Sequence, residues 1–100
     1  METTQATLVT IVAERLLKDR LTTKIRELGA KGFTLTEVQG EGTHIIPAHE
    51  WEGPSVKIET LVREDVADRI VEAVARYFEH HAVIVYLSDA RVVRVRKFRE

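Results

Sequence analysis

Cysteine is missing from the 100 residues, which removes disulfides, thiolate metal ligands and cysteine nucleophiles together. Net charge is nearly missing too: 15 Lys and Arg stand against 16 Asp and Glu, so no overall field holds the chain on a polyanion or a lipid surface. Only two prolines and six aromatic residues occur, and neither a low-complexity tract nor an interdomain linker interrupts the chain. The start, "METTQATLVTIVAERLL", has no basic leader, and its apolar run is far shorter than the ~20 residues of a membrane span, so a soluble, unexported, cytoplasmic protein is expected. What remains is a length suited to a single domain, residues 1–100, with 44% hydrophobic residues to build one modest core.

Periodicity divides that length into elements. The β-branched run Thr7–Ala13 reads as a strand buried on both faces. Leu17, Leu21, Ile25 and Leu28 draw one apolar stripe along a helix of about four turns, which Gly29 is suited to end. Phe33–Gly40 reads as a second strand. Ser55–Val62 alternates apolar and polar residues with the period of a half-buried strand, entered through Pro54. Val66, Ile70, Val74 and either Tyr77 or Phe78 mark a second helix, with Glu64 and Asp65 near its positive end. Ala82–Leu87 is a third apolar run, and "ARVVRVRKF" either continues that strand past a bend at Ser88–Asp89 or forms a strand of its own. The order predicts an α+β chain, a ferredoxin-like βαββαβ fold with a long loop between its second and third strands. Two helices cover only one face of such a sheet, so apolar residues on the other predict oligomerisation.

Several residues invite chemistry on their own account. Arg94 and Arg96, two apart on a strand, place both guanidinium groups on one face: either solvated cations of an edge strand or a fork for phosphate oxygens. Gly40 and Gly42 flank Glu41 where a strand ends, and serve either as turn glycines or to let backbone N–H groups approach an anion. His44 and His49 share the long loop, while His80 and His81 are adjacent; none has the i, i+4 spacing of a helical zinc site, and solvent exposure is the simpler reading. Trp51, with Ile45, Ile46 and Pro47 nearby, is either a partner anchor or packed on its own assembly. No nucleophile elbow or paired-carboxylate spacing appears, and the chain is read as no enzyme.

The segment "GAKGFTLTEVQGEG" (Gly29–Gly42) resembles the G-x-x-G-[MF]-T-[VL]-T-E-V-x-G-x-G stretch of the PII signal-transduction proteins. "VKIETLV" is similar to their next strand and "ARVVRVR" to the A-R-V-I-R-I-R that closes their core, in the same order and across nearly the whole chain. The resemblance implies a homotrimer that binds adenine nucleotides in clefts between subunits, with residues of about 42–54 forming a partner-binding T-loop. The positions it implies for the nucleotide are Thr34, Gly40, Glu41, Gly42, Leu61, Arg94 and Arg96. For the partner they are Thr43, His44, Ile45, Ile46, His49 and Trp51.

Three departures refine the expectation. The phosphate loop T-G-x-x-G-D-G-K is replaced by "RYFEHHAVIVY", which sets Val83 at the lysine position and leaves His80 or His81 as a partial substitute. The T-loop is shorter and carries no tyrosine for uridylylation. Thr43 stands where nitrogen-regulatory members usually have arginine. These changes resemble the PII-like proteins associated with bicarbonate transporters and carboxysomes, some of which carry a cysteine-bearing redox loop that a Cys-free chain cannot have. The resemblance then implies ADP or AMP competing well with ATP, cyclic AMP as a further ligand and bicarbonate as an effector. Its implied partner is a bicarbonate transporter that recruits the protein to the inner face of the membrane; no cofactor and no nucleic acid are expected. The rival reading is a ferredoxin-like trimeric metal-binding or metal-tolerance protein using His44 and His49.

Overall fold

β1 (Thr4–Glu14) is the longest strand, and its apolar residues run on both faces because it lies inside the sheet. The computed structural model describes residues 2–39 and 54–93. A single 3-10 turn, Arg15–Leu17, leads from β1 into α1 (Lys18–Glu27), followed by β2 (Thr34–Val38), β3 (Ser55–Val62), α2 (Glu64–Tyr77) and β4 (Val83–Val92). The strands lie in the order β2-β3-β1-β4 with every neighbouring pair antiparallel, the ferredoxin-like arrangement expected from the sequence.

Register assigns each side chain to a face. Val85, Ile11, Ile58 and Leu35 form one row across all four strands. Because alternate residues point to one side, Val9, Ala13, Val56, Thr60 and Val62 share that face with them. Leu17 from the 3-10 turn, Leu21 and Ile25 from α1 and Ala67, Ile70 and Val74 from α2 cover it, all buried in one cluster. Phe78, 4% exposed, closes the cluster, whereas Tyr77 is 55% exposed; of the two aromatic candidates for the last apolar position, Phe78 fills it. Thr60 is buried on this face without penalty, since its hydroxyl donates to the Gly32 carbonyl at 2.6 Å and so ties the α1–β2 connection to the sheet.

Gly29 does end the first helix. Its φ of 118° lets the Ala30 N–H donate to the Ile25 carbonyl at 3.0 Å and the Gly29 N–H to Arg26 at 3.1 Å, the paired bonds of a glycine-closed C-terminus. A β-carbon there would lie 3.3 Å from Val66 Cγ2. Gly29→Ala is therefore expected to destabilise the chain by about 1–3 kcal/mol, read as a lowered melting temperature.

Two elements differ from the sequence reading. β2 is shorter than Phe33–Gly40: Phe33 precedes the strand, where its ring lies 5.1 Å from the Arg26 guanidinium, and Gln39 follows it. β4 is longer than Ala82–Leu87 and unbroken at Ser88–Asp89, because β1 offers Leu8 and Thr7 as ladder partners at those positions. Val93 lies just beyond the strand, 55% exposed.

The face away from the helices carries Leu8 and Val12 from β1, Leu61 from β3, and Ile84, Tyr86 and Val92 from β4. No described element covers it, and Tyr86 and Leu61 are 48% and 38% exposed.

Candidate functional site

Of the residues expected to contact nucleotide, the structure describes Thr34 and Leu61. Both sit on the open face: Thr34 begins β2 opposite Glu59, and Leu61 lies on β3 opposite Leu8. Register puts them in neighbouring rows, so the sheet brings these two together at one corner. Gly40, Glu41, Gly42, Arg94 and Arg96 lie outside the described residues, as do Thr43, His44, Ile45, Ile46, His49 and Trp51.

The described flanks still locate where those segments depart. Val38 pairs with Ser55, so the segment between Gln39 and Pro54 leaves and re-enters at one end of the sheet. Val92 pairs with Thr4 at the other end. Along β1, the Val92 row at Thr4 and the Ser55 row at Glu14 are ten residues apart, about 33 Å at the rise of a strand.

One residue that the sequence reading did not single out touches both flanks of the loop. The Arg15 N–H donates to the Pro54 carbonyl at 3.2 Å, and its Nη1 lies 3.5 Å from Glu37 Oε1 on β2. The pair is exposed and contributes little to stability, but it joins the two strand ends from which the loop departs. No spacing in the sequence marks it, because the contact depends on β1 and β2 being brought to one end through β3.

The α2–β4 connection lies at the same end, since Val83 pairs with Ala13. His81 packs edge-on against Phe78 with ring centroids 5.8 Å apart, and its Nδ1 is buried with no hydrogen-bond partner among the described residues. His80 is exposed, its Nε2 3.4 Å from Glu79 Oε1. Arg20 lies over the Phe78 ring at 5.0 Å and Lys24 over Tyr77 at 4.5 Å, which fixes two α1 cations against this turn. Among the described residues no group of three or more His, Asp or Glu is placed to hold a metal ion. At the far end of the sheet, hydrogen bonds from Arg63 and then Arg69 hold the Asp65 carboxyl below its usual range.

The family model for nitrogen regulatory protein P-II matches residues 6–97. A curated relative, nitrogen regulatory protein P-II of Klebsiella oxytoca, is 31% identical and covers 76% of this chain and 79% of its own length. The chain belongs to the P-II family. Among solved structures, a PII-like signaling protein of Thermus thermophilus is 44% identical with a TM-score of 0.82, over 98% of this chain and 99% of the other. CPII of Thiomonas intermedia, solved bound to ADP and bicarbonate, is 26% identical with a TM-score of 0.82, over 98% of each chain.

Proposed function

We propose that this PII-like protein is a regulatory sensor that binds adenine nucleotides, ADP or AMP in preference to ATP, in clefts between the subunits of a homotrimer. Cyclic AMP is a further candidate ligand, and bicarbonate an effector bound beside the nucleotide. Occupancy of the cleft sets the conformations of the T-loop, about residues 42–54. Through Thr43, His44, Ile45, Ile46, His49 and Trp51 the loop engages or releases a partner, a bicarbonate transporter at the inner face of the membrane. The chain acts by binding and not by catalysis. Among the described residues no helix is long and apolar enough to cross a membrane itself, so attachment would come through that partner.

The observation that supports this reading is that the strands leading to the proposed site segments, β2 and β4, run out at opposite ends of one sheet. Val38, the last residue of β2 before the Gly40–Gly42 segment, lies in the Glu14 row at one end, while Val92, the last residue of β4 before Arg94 and Arg96, lies in the Thr4 row about 33 Å away, a separation that favours a nucleotide held between copies over one held on a single copy. A neighbouring copy packed on the open apolar face brings one end of its sheet against the other end of the first. ADP and bicarbonate in the related CPII supply the ligand chemistry.

Calorimetric titration with ADP, AMP, ATP and cyclic AMP, with and without bicarbonate, tests the reading. One site per chain is expected for ADP or AMP, with a heat altered by bicarbonate. Arg94→Ala should weaken binding about 10- to 100-fold, the loss of a charged hydrogen bond worth roughly 1.5–3 kcal/mol. Unchanged affinity in that variant would remove Arg94 from the site, and silence with all four nucleotides would dismiss the adenylate reading.

A further inference from the structure

Glu59 joins Thr34 to Leu61 on the open face. Register sets it directly opposite Thr34 on β2 and opposite Thr10 on β1, and alternation places it two residues before Leu61 on the same side of β3. It is half-buried, and among the described residues its carboxylate has no ion-pair or hydrogen-bond partner. Lys57, two residues the other way on that face, makes no ion pair among the described residues either. The side chains that frame the carboxylate in its own row and the next, Thr34, Thr10, Leu8 and Leu61, carry no charge.

A carboxylate in this position is well solvated only while water reaches it. Once a second copy covers the face, it becomes a desolvated anion that hydrogen-bond donors must meet. The order of residues along β3 indicates which donors. Leu61, Glu59 and Lys57 follow one another on one face, each about 6.6 Å from the next at the rise of a strand. Apolar wall, hydrogen-bond acceptor and cation repeat the order of base, sugar and phosphate in a nucleotide. Of those three parts the sugar alone presents two hydroxyl donors side by side. A phosphate repels a carboxylate, and the amino group of adenine lies between ring-nitrogen acceptors that oppose one.

We propose that Glu59 is a specificity-determining residue of the nucleotide cleft, its carboxylate accepting hydrogen bonds from the 2′- and 3′-hydroxyls of the ribose, with the base against Leu61 and the phosphates toward Lys57. The inference rests on the nucleotide reading given above and adds a discrimination to it. A nucleotide that lacks these hydroxyls leaves the covered carboxylate unpaired, and a site built around a ligand hydroxyl rejects the analogue without it. Cyclic AMP has no 3′-hydroxyl, and its cyclic phosphodiester brings a negative charge toward the carboxylate. It therefore binds more weakly than AMP, although both carry the same base.

The test is calorimetric titration of the whole protein with ADP, 2′,3′-dideoxy-ADP, AMP and cyclic AMP, on wild type, Glu59→Ala and Glu59→Gln, with sedimentation velocity to check that each variant keeps the wild-type mass. Wild type is expected to bind the dideoxy analogue about tenfold or more weakly than ADP, and cyclic AMP more weakly than AMP. In Glu59→Ala both ratios fall toward one. Glu59→Gln, which keeps one neutral acceptor, lies between and decides the matter even where the alanine variant fails to assemble. Glu72→Gln, whose carboxylate is held by Arg76 on α2, should leave both ratios at their wild-type values. Equal binding of ADP and its dideoxy analogue by wild type, or wild-type ratios in the Glu59 variants, would overturn the proposal by showing that the sugar is not what Glu59 meets. Silence of wild type with ADP would dismiss the nucleotide reading and this inference together, whereas ADP binding with unmoved ratios dismisses the inference alone.

Discussion

Leu8→Asp is expected to convert the protein from an assembly to monomers and to abolish nucleotide binding in the same step. Leu8 lies in the middle of the open face, between Leu61 on β3 and Ser88 on β4. A carboxylate there is solvated on a lone copy but becomes a buried, unpaired charge once another copy covers the sheet, at an effective cost of several kcal/mol for each ion. Because three copies would each bring the same charge to one interface, the penalty multiplies with the symmetry. Sedimentation velocity reads the mass, and far-ultraviolet circular dichroism shows that the fold survives, since the helix-covered face is untouched. An assembly of wild-type mass would mean that the open face is not where copies meet.

Ile58→Ala should cost about 2–5 kcal/mol of stability, the usual range for truncating a fully buried isoleucine to alanine. Ile58 is 0% exposed, pairs with Ile11 on one side and Leu35 on the other, and stands under both helices in the row that spans the sheet. The rigid strands on either side leave little room for collapse, so a cavity would persist. Glu72→Ala, on an exposed turn of α2, should shift stability by no more than about 0.5 kcal/mol. Denaturant unfolding of both variants provides the comparison, and equal midpoints would contradict the assignment of Ile58 to the centre of the core.

The strands and helices were legible where periodicity meets burial. Ser55–Val62 and the stripe Val66, Ile70, Val74 announce their faces directly, because a strand repeats every two residues and a helix every 3.6. Gly29 was legible because a helix end needs the backbone that glycine tolerates. Element ends were less so. Phe33 looked like strand but is held against Arg26, and Ser88–Asp89 looked like a bend but is strand, since β1 continues beside it. Such ends are decided by cross-strand partners that no local pattern displays.

The candidate site divides in the same way. The resemblance to the PII proteins implied Thr34 and Leu61, which the sheet sets in adjacent rows of the open face. The Arg15 contacts with Pro54 and Glu37 arise from elements far apart in sequence and had no signal in it.

The most direct test of a nucleotide held between copies is complementation. Arg94→Ala and Gly42→Val chains are prepared separately, each having lost tight ADP binding, then unfolded together in equal amounts and refolded as mixed assemblies. If the arginine comes from one copy and the glycine turn from its neighbour, random mixing restores about a quarter of the sites, each joining an intact Arg94 to an intact Gly42. Titration with ADP should then count about one working site for every four chains, with wild-type affinity. If both groups instead belonged to the same copy, every site would carry one defect, no binding would return, and the intersubunit account would be contradicted.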